Sequence, residues 1–424
     1  MPYTYEEAVN YIYELPKFTT KHTFEEGREF LHELGDPDRT FKVIHVAGTN
    51  GKGSVCAYME SILMHAHLST GCFISPHLND IRERIRINGG MCSEEEFTDA
   101  FNRVYELSRS LYVPTFFEYL FFMAMLIFRD HAPDVVILET GLGGRLDATN
   151  LVSDKLFSVI TPVGLDHCEY LGNTIEDIAF EKAGIIQSTK PVVYWGDMPG
   201  ADVISAEARR FKSVEIALQN DCICDIHRDN SNIDFCLKYK YDSMYLKIRG
   251  KAVYQVLNAT LAVCAIRSQE AFEGVVDEND CIEGVYEMYW PCRMEEVQEG
   301  IIVDGAHNPH AITAFLNSVR GDGAEKRALI FGCMRDKDYT EEIGLLSQSN
   351  LFNKVIATHI DYERAEDPAV IADRFRSAGA NDVTICEDTS HSLEYAGSLV
   401  EEGYLVYFTG SLYLAGEVRG HILC

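Results

Sequence analysis

The sequence predicts an α/β protein: a mostly parallel sheet covered by helices on both faces, followed by a second, smaller α/β domain. Three observations carry this. Short apolar runs rich in β-formers alternate with stretches whose apolar residues recur every three or four positions. The chain has 424 residues, too many for one ordinary core. Its texture changes past residue 190, and strand–loop–helix alternation resumes beyond residue 300. With "EEVQE" at 295–299 as the separator, the expected domains are 1–296 and 297–424.

The elements follow in order. "FKVIHVA" (41–47) is a buried strand that feeds a glycine-rich loop. Beyond the loop, Val55, Tyr58, Met59, Ile62, Leu63 and Ala66 form a helix face. "GCFIS" (71–75), "DVVILE" (134–139) and "LFSVI" (156–160) supply further strands. Between them, a helix starts at Ser93 with Glu96 completing a capping box, and another runs through "FFEYLFFMAMLIFRDH". "DFCLKYKYDSMYLKIRG" alternates apolar and polar residues as an antiparallel hairpin does, and a helix resumes at "QVLNATLAVCAIRS". "IIVDGAHNPHAITAFL", "RALIFG", "KVIATHI", "DVTICE" and "YLVYFTGS" then build the second sheet.

Composition narrows the function. The formal net charge of −29 argues against nucleic acid or an anionic membrane as partner, since both need a basic face. Thirteen cysteines without a C-x-x-C pair point to free thiols in a reducing compartment. The N-terminus lacks a signal-peptide core, and "YLFFMAMLIF" is about half the ~20 residues a membrane span needs. A cytoplasmic protein is expected.

The loop "AGTNGKGSV" (47–55) departs from the usual phosphate-loop pattern, because Gly53 separates Lys52 from Ser54. Gly48, Gly51 and Gly53 let the backbone close around phosphate, Lys52 offers a point charge, and Ser54 a Mg2+ ligand. The strand before it and the helix after it are the context an anion site requires. The alternative is a glycine-rich turn with no ligand. Glu139 ends a parallel strand, where ligands bind in open α/β sheets. Asp166 and His167 follow the next strand, and Lys182 falls on a helix end in "FEKAGII". Taken alone, His167 reads equally as a structural side chain. Cys222, Cys224, His227 and Cys236 match no structural zinc spacing and lie in segments that read as strands.

Together "VIHVAGTNGKGSV", "ISPHL" with "RERIRING", "ETGLGGRLDATN", "LDH", "FEKAGI", "VDGAHNPHA" and "FTGSLYLAGEVR" span the chain in order. They resemble folylpolyglutamate synthase/dihydrofolate synthase, within the Mur-ligase superfamily of ATP-dependent amide ligases. In that family the extra glycine of the phosphate loop is the rule.

The resemblance implies a P-loop central domain, a Rossmann-like C-terminal domain, and ATP-dependent ligation of L-glutamate to reduced folates, with dihydrofolate synthesis as a second activity. Thr49, Asn50, Gly51, Lys52, Gly53, Ser54, Asn258, Arg293 and Asp304 would bind ATP, the second domain closing over the first. Ser54, Ser75, Glu139, His167 and a carbamylated Lys182 would hold two Mg2+ ions. Glu14, Leu15, Pro16, Thr115, Phe116, Phe117, Glu118, Leu146, Asp147 and Ala148 would line the pterin side. His307 and Ser411 would meet glutamate, and Lys52, Lys182 and His307 form the catalytic set. The family usually has P-G-R where this chain has Pro291-Cys292-Arg293. A monomer acting on small molecules is implied.

The chemistry agrees. A carboxylate is a poor electrophile, because an attacking amine would have to expel oxide. Phosphoryl transfer from ATP gives an acyl phosphate whose phosphate can leave, provided cations offset the repulsion between the two anions. Two other readings compete: a cell-wall amide ligase and a non-catalytic ATP switch. The 47 residues before Gly48 are too few for the first one's nucleotide-sugar domain. The second has no need for Ser75, Glu139, His167 and Lys182 together.

Overall fold

The computed structural model describes residues 2–16, 23–229, 231–239, 242–335 and 339–423. It divides into two units. The first comprises Met1–Cys224, Cys236–Leu246 and Leu257–Met288, the second Asp225–Phe235, Lys247–Val256 and Tyr289–Cys424. Residues 225–235, 247–256 and 289–296 thus join the second unit. Arg228 Nη2 there donates to Ser318 O at 2.8 Å, and Val253 N to Ser318 Oγ at 3.1 Å.

The first unit is built on an eight-stranded sheet. Its strands are β1 (Lys42–Ala47), β2 (Thr70–Phe73), β3 (Ile85–Ile87), β4 (Gly90–Met91), β5 (Val135–Glu139), β6 (Phe157–Ile160), β7 (Val192–Trp195) and β8 (Glu215–Leu218). The order is β4-β3-β2-β5-β1-β6-β7-β8. β2, β5, β1, β6, β7 and β8 are parallel, while β3 and β4 add an antiparallel edge. β5 and β6 are buried along their whole length, as strands covered on both faces are, which is why they read as continuous apolar runs. The register sets Val46 opposite Glu139 and Ala47 opposite Ile160. The loops after β1, β5 and β6 therefore leave the sheet at one level, at the central strand where the order reverses direction.

The helix Lys52–His65 is buried around most of its girth, from Ser54 to Glu60, and not along one face as its periodicity suggests. Helix Glu278–Glu287 covers its other side; a Cβ on Gly284 would lie 2.6 Å from Ile62 Cα. Helix Phe116–His131 is buried from Tyr119 to Phe128. It packs against the sheet, the helix Glu94–Ser108 and the N-terminal helix Tyr5–Glu14, so its apolar run is core. Among the described residues no helix is long and apolar enough to cross a membrane.

Strands β9 (Ile223–Arg228), β10 (Asn232–Tyr239) and β11 (Asp242–Arg249) form a small sheet in the order β11-β10-β9. The expected hairpin is the pair β10 and β11; residues 240–241 lie outside the described ones. Cys224 Sγ donates to the carbonyl of Cys236 on the neighbouring strand at 3.6 Å. The described cysteines are free and mostly buried.

The second unit carries β12 (Glu295–Gln298), β13 (Ile301–Val303), β14 (Arg327–Phe331), β15 (Lys354–Thr358), β16 (Val383–Cys386) and β17 (Leu405–Thr409). Their order is β12-β13-β17-β14-β15-β16, parallel apart from β12. β13 and β17 are neighbours, so the loops after them emerge side by side.

Candidate active site

In the first unit the chain leaves β1 at Gly48 and closes a tight loop before the helix begins at Lys52. Gly48 has φ +150°, and a Cβ there would sit 1.8 Å from Thr161 Oγ1, so only glycine fits. Gly51, the helix N-cap, has φ +88°, and its Cα faces the side chain of Asn258 on helix Gln255–Arg267. Thr49 ties the loop to the strand end beside it: Thr49 N donates to Pro162 O, and Thr49 Oγ1 donates to Gly164 O and accepts from Gly164 N, each at 3.0 Å. Asn50 completes the loop and Gly53 lies in the first turn of the helix, where the N-terminal N–H groups and the helix dipole favour an anion.

Two lysines meet at the start of this loop. Lys182, on helix Ile175–Ala183, donates to Gly48 O at 2.7 Å, and Lys52 Nζ lies 3.2 Å from the same oxygen and 3.3 Å from Thr49 O. Lys182 is 3% exposed. Burial and the neighbouring Lys52 push its amine down to about 7, against the opposing pull of Asp166 and Asp147.

Buried Glu139 ends β5 and accepts from Ser75 N at 2.8 Å, so the carboxylate and the Ser75 segment after β2 are held together. Ser54 is buried in the first turn of the phosphate-loop helix. These donors are hard oxygens, the set Mg2+ prefers, and they fit that ion. His167 stands exposed after β6 with φ +52°, its backbone N–H donating to Asp166 Oδ1 at 2.9 Å.

The three expected substrate segments are contiguous. Phe116 N donates to Pro16 O at 3.3 Å, and a Cβ on Gly141 would meet the Phe117 ring at 2.6 Å. Glu14 and Pro16 are exposed and Leu15 is buried. Thr115 and Glu118 serve as a capping box for helix Phe116–His131. Leu146 is 61% exposed, beside the partly buried Ala148. Asp147, in contrast, is buried and accepts from Gly141 N, Leu142 N, Thr149 N and Thr149 Oγ1. Its carboxylate folds the loop on itself.

The structure adds side chains that the motifs did not single out. Arg84 Nε donates to His77 Nδ1 at 2.7 Å, which leaves the His77 Nε2–H to face Tyr13 OH at 3.1 Å. The Arg84 guanidinium lies over the Phe116 ring, 5.2 Å from its centroid. His77 was in view, two residues past Ser75 in "ISPHL"; Tyr13 carried no signal.

In the second unit, Arg293, Asp304, His307 and Ser411 gather around the ends of β13 and β17. Asp304 is 2% exposed and accepts from Met294 N at 2.9 Å, Ala306 N at 2.9 Å and Tyr254 OH at 2.5 Å. Burial pushes its carboxyl up against the opposing effect of Arg293 and these donors. Cys292 has φ +57° and is fully buried, so the chain keeps a glycine-type turn with a thiol in it. The Cys292 carbonyl accepts from Gly305 N at 3.0 Å and from Arg293 Nη1 at 2.9 Å. His307 Nδ1 donates to Gly305 O at 2.7 Å, which leaves Nε2 as the acceptor nitrogen. Ser411 Oγ accepts from Tyr413 N at 3.1 Å.

Comparison with known proteins agrees over both units. Residues 46–266 match the Mur ligase middle domain, and residues 292–412 the Mur ligase glutamate ligase domain. A dihydrofolate synthase/folylpolyglutamate synthase of Bacillus subtilis is 33% identical, covering 98% of each chain. The folylpolyglutamate synthase of Mycobacterium tuberculosis, solved with ADP and AMPPCP, superposes with a TM-score of 0.88 at 27% identity over 98% of each chain. A bifunctional folylpolyglutamate synthase/dihydrofolate synthase solved with Mn, AMPPNP and L-glutamate gives 0.83 at 26% identity, over 100% of this chain and 98% of its own.

Proposed function

Because this chain belongs to the folylpolyglutamate synthase/dihydrofolate synthase family of Mur ligases, we propose a division of labour among its residues for that family's reaction. The reaction is ATP-dependent ligation of L-glutamate to a folate, and the acceptor we favour is a reduced folate, with dihydropteroate as the second. The observation that carries the reading is the meeting of Lys52 and Lys182 on Gly48 O at the mouth of a phosphate loop. This puts two amines beside the place where a triphosphate docks.

In this reading the loop from Thr49 to Ser54 takes the phosphates, and Lys52 offsets the charge that develops as the γ-phosphoryl group moves to the folate carboxylate. Asn258, beside Gly51, is a nucleotide contact. Ser54, Ser75 and Glu139 would hold one Mg2+, with His167 and a carbamylated Lys182 for a second. Bound there, the ions supply charge neutralisation for the two anions. Exposed Leu146 and the Phe116–Phe117 wall face the pterin, and Asp147 keeps that loop in shape. In the second unit Arg293, His307 and Ser411 are the side chains we assign to nucleotide and glutamate. Asp304 is the fixed post that holds the Arg293 turn. The glutamate amine then attacks the acyl phosphate, phosphate leaves, and the amide remains.

The test is release of ADP from Mg-ATP and L-glutamate, comparing tetrahydrofolate with dihydropteroate. Faster turnover with tetrahydrofolate is expected. Turnover with dihydropteroate alone would reverse the preference, and none with either acceptor would remove the ligase reading.

A further inference from the structure

Lys155 is a buried lysine that the reaction above leaves unused. It is 3% exposed, and its Nζ donates to Asn150 Oδ1 at 2.6 Å and to Ile185 O at 2.9 Å. Among the described residues it forms no ion pair. An ammonium this deep without a touching carboxylate is costly, so its two acceptors merit a reason.

They belong to the two segments that carry the site. Asn150 ends the loop 141–150, and its Nδ2 donates to Arg145 O at 3.1 Å and to Gly184 O at 3.1 Å. Ile185 follows helix Ile175–Ala183, three residues past Lys182. Two more contacts bind the same segments: Arg145 N donates to Glu181 O, and a Cβ on Gly144 would lie 3.0 Å from the carbonyls of Glu181 and Lys182. On the other side, Thr149 Oγ1 donates to Asp147 and so receives the Nε2–H of His45 at 2.8 Å. The loop, the strand beneath it and the lysine helix share one polar network with Lys155 at its base.

We propose that Lys155 is a positioning residue for the ligase reaction. By fixing the Asn150 amide and the Ile185 carbonyl at once, it makes the substrate loop and the Lys182 helix end one rigid piece. Lys182 then keeps its place against Gly48 O while Leu146 and Asp147 keep theirs. The inference rests on the function proposed above.

The experiment compares wild type with Lys155→Met, Asn150→Ala and the double variant, each checked by circular dichroism for a folded chain. Asn150 is only partly buried, which keeps the test open if Lys155→Met fails to fold. Both single variants should lower kcat and raise the folate KM by about tenfold each, as loss of a supporting contact does. The KM for ATP should change less than about twofold, because Thr49 still ties the phosphate loop to Pro162 and Gly164 and Lys52 still reaches Gly48 O when Lys182 shifts. The double variant should be no worse than either single one, since both break the same link. Hydrogen exchange should speed up together at Arg145 and at 184–186. A folded Lys155→Met enzyme with wild-type constants overturns the proposal, as do additive losses or an equal rise in the KM for ATP. Wild type without glutamate-dependent turnover would instead remove the functional reading, and the inference with it.

Discussion

Lys182 donates to the carbonyl oxygen of Gly48 at 2.7 Å, the oxygen that Lys52 also reaches. Burial and Lys52 bring the Lys182 amine down to about 7. Near neutral pH much of it is therefore the free amine, the form that adds to CO2. Carbamylation would form the N–C bond, release one proton to solvent and leave one N–H on the carbamate nitrogen for Gly48. With 13C-bicarbonate and Mg2+, wild type is expected to show a carbamate carbon resonance that Lys182→Ala lacks. Lys182→Ala should lose about 100-fold or more in turnover. No resonance from the wild type and a fully active variant would sink this hypothesis.

Asp304 has three donors committed to it, from Tyr254, Met294 and Ala306. Asp304→Ala would strand them in a buried site, at a cost of about 3 kcal/mol to the second unit. Tyr254→Phe should cost about 1 kcal/mol, since only one donor is lost. Urea unfolding of the full chain reads both. Unchanged stability with a raised KM for ATP would make Asp304 a nucleotide ligand and not a post.

Lys155 gives a pH dependence. Burial lowers its amine to about 7, the pull of Asp147 notwithstanding, and Lys155 in turn helps to hold buried His45 neutral. An unfolded lysine keeps its proton up to about 10.4. Between these limits the unfolded chain binds more protons, so stability should rise with pH from about 7 to about 10. Below this window both states are protonated and the cost of burial is constant. Relative to Lys155→Met, the wild type should gain up to about 1.4 kcal/mol per pH unit within it. A flat difference between pH 7 and 9.5 would count against a depressed Lys155.

Much of the site was legible because motif and periodicity agreed. β1, its glycine turn and the following helix form one sentence in the sequence, and Glu139 marks its strand end. The Ser93–Glu96 capping box was readable; the same signature at Thr115–Glu118 lay within a segment read for substrate contacts. Other features depend on partners far along the chain. The burial of helix Lys52–His65 on its second side follows from Gly284, more than two hundred residues away. Tyr254 and Lys155 have no motif, and their meaning arises only when Asp304 and Asn150 fold against them. Periodicity also cannot tell that Asp147 turns inward while Leu146, its neighbour, faces out.

The most direct test of the chemistry follows the oxygen of the activated carboxylate. A reduced folate labelled with 18O in its terminal carboxylate is turned over with Mg-ATP and L-glutamate, and the inorganic phosphate is analysed by mass spectrometry. Attack of the labelled oxygen on the γ-phosphorus, followed by expulsion of phosphate by the amine, carries one label from each folate into phosphate. With both oxygens of that carboxylate labelled, one 18O per phosphate is the expected result; phosphate free of label, with the displaced label recovered in water, would contradict activation through an acyl phosphate.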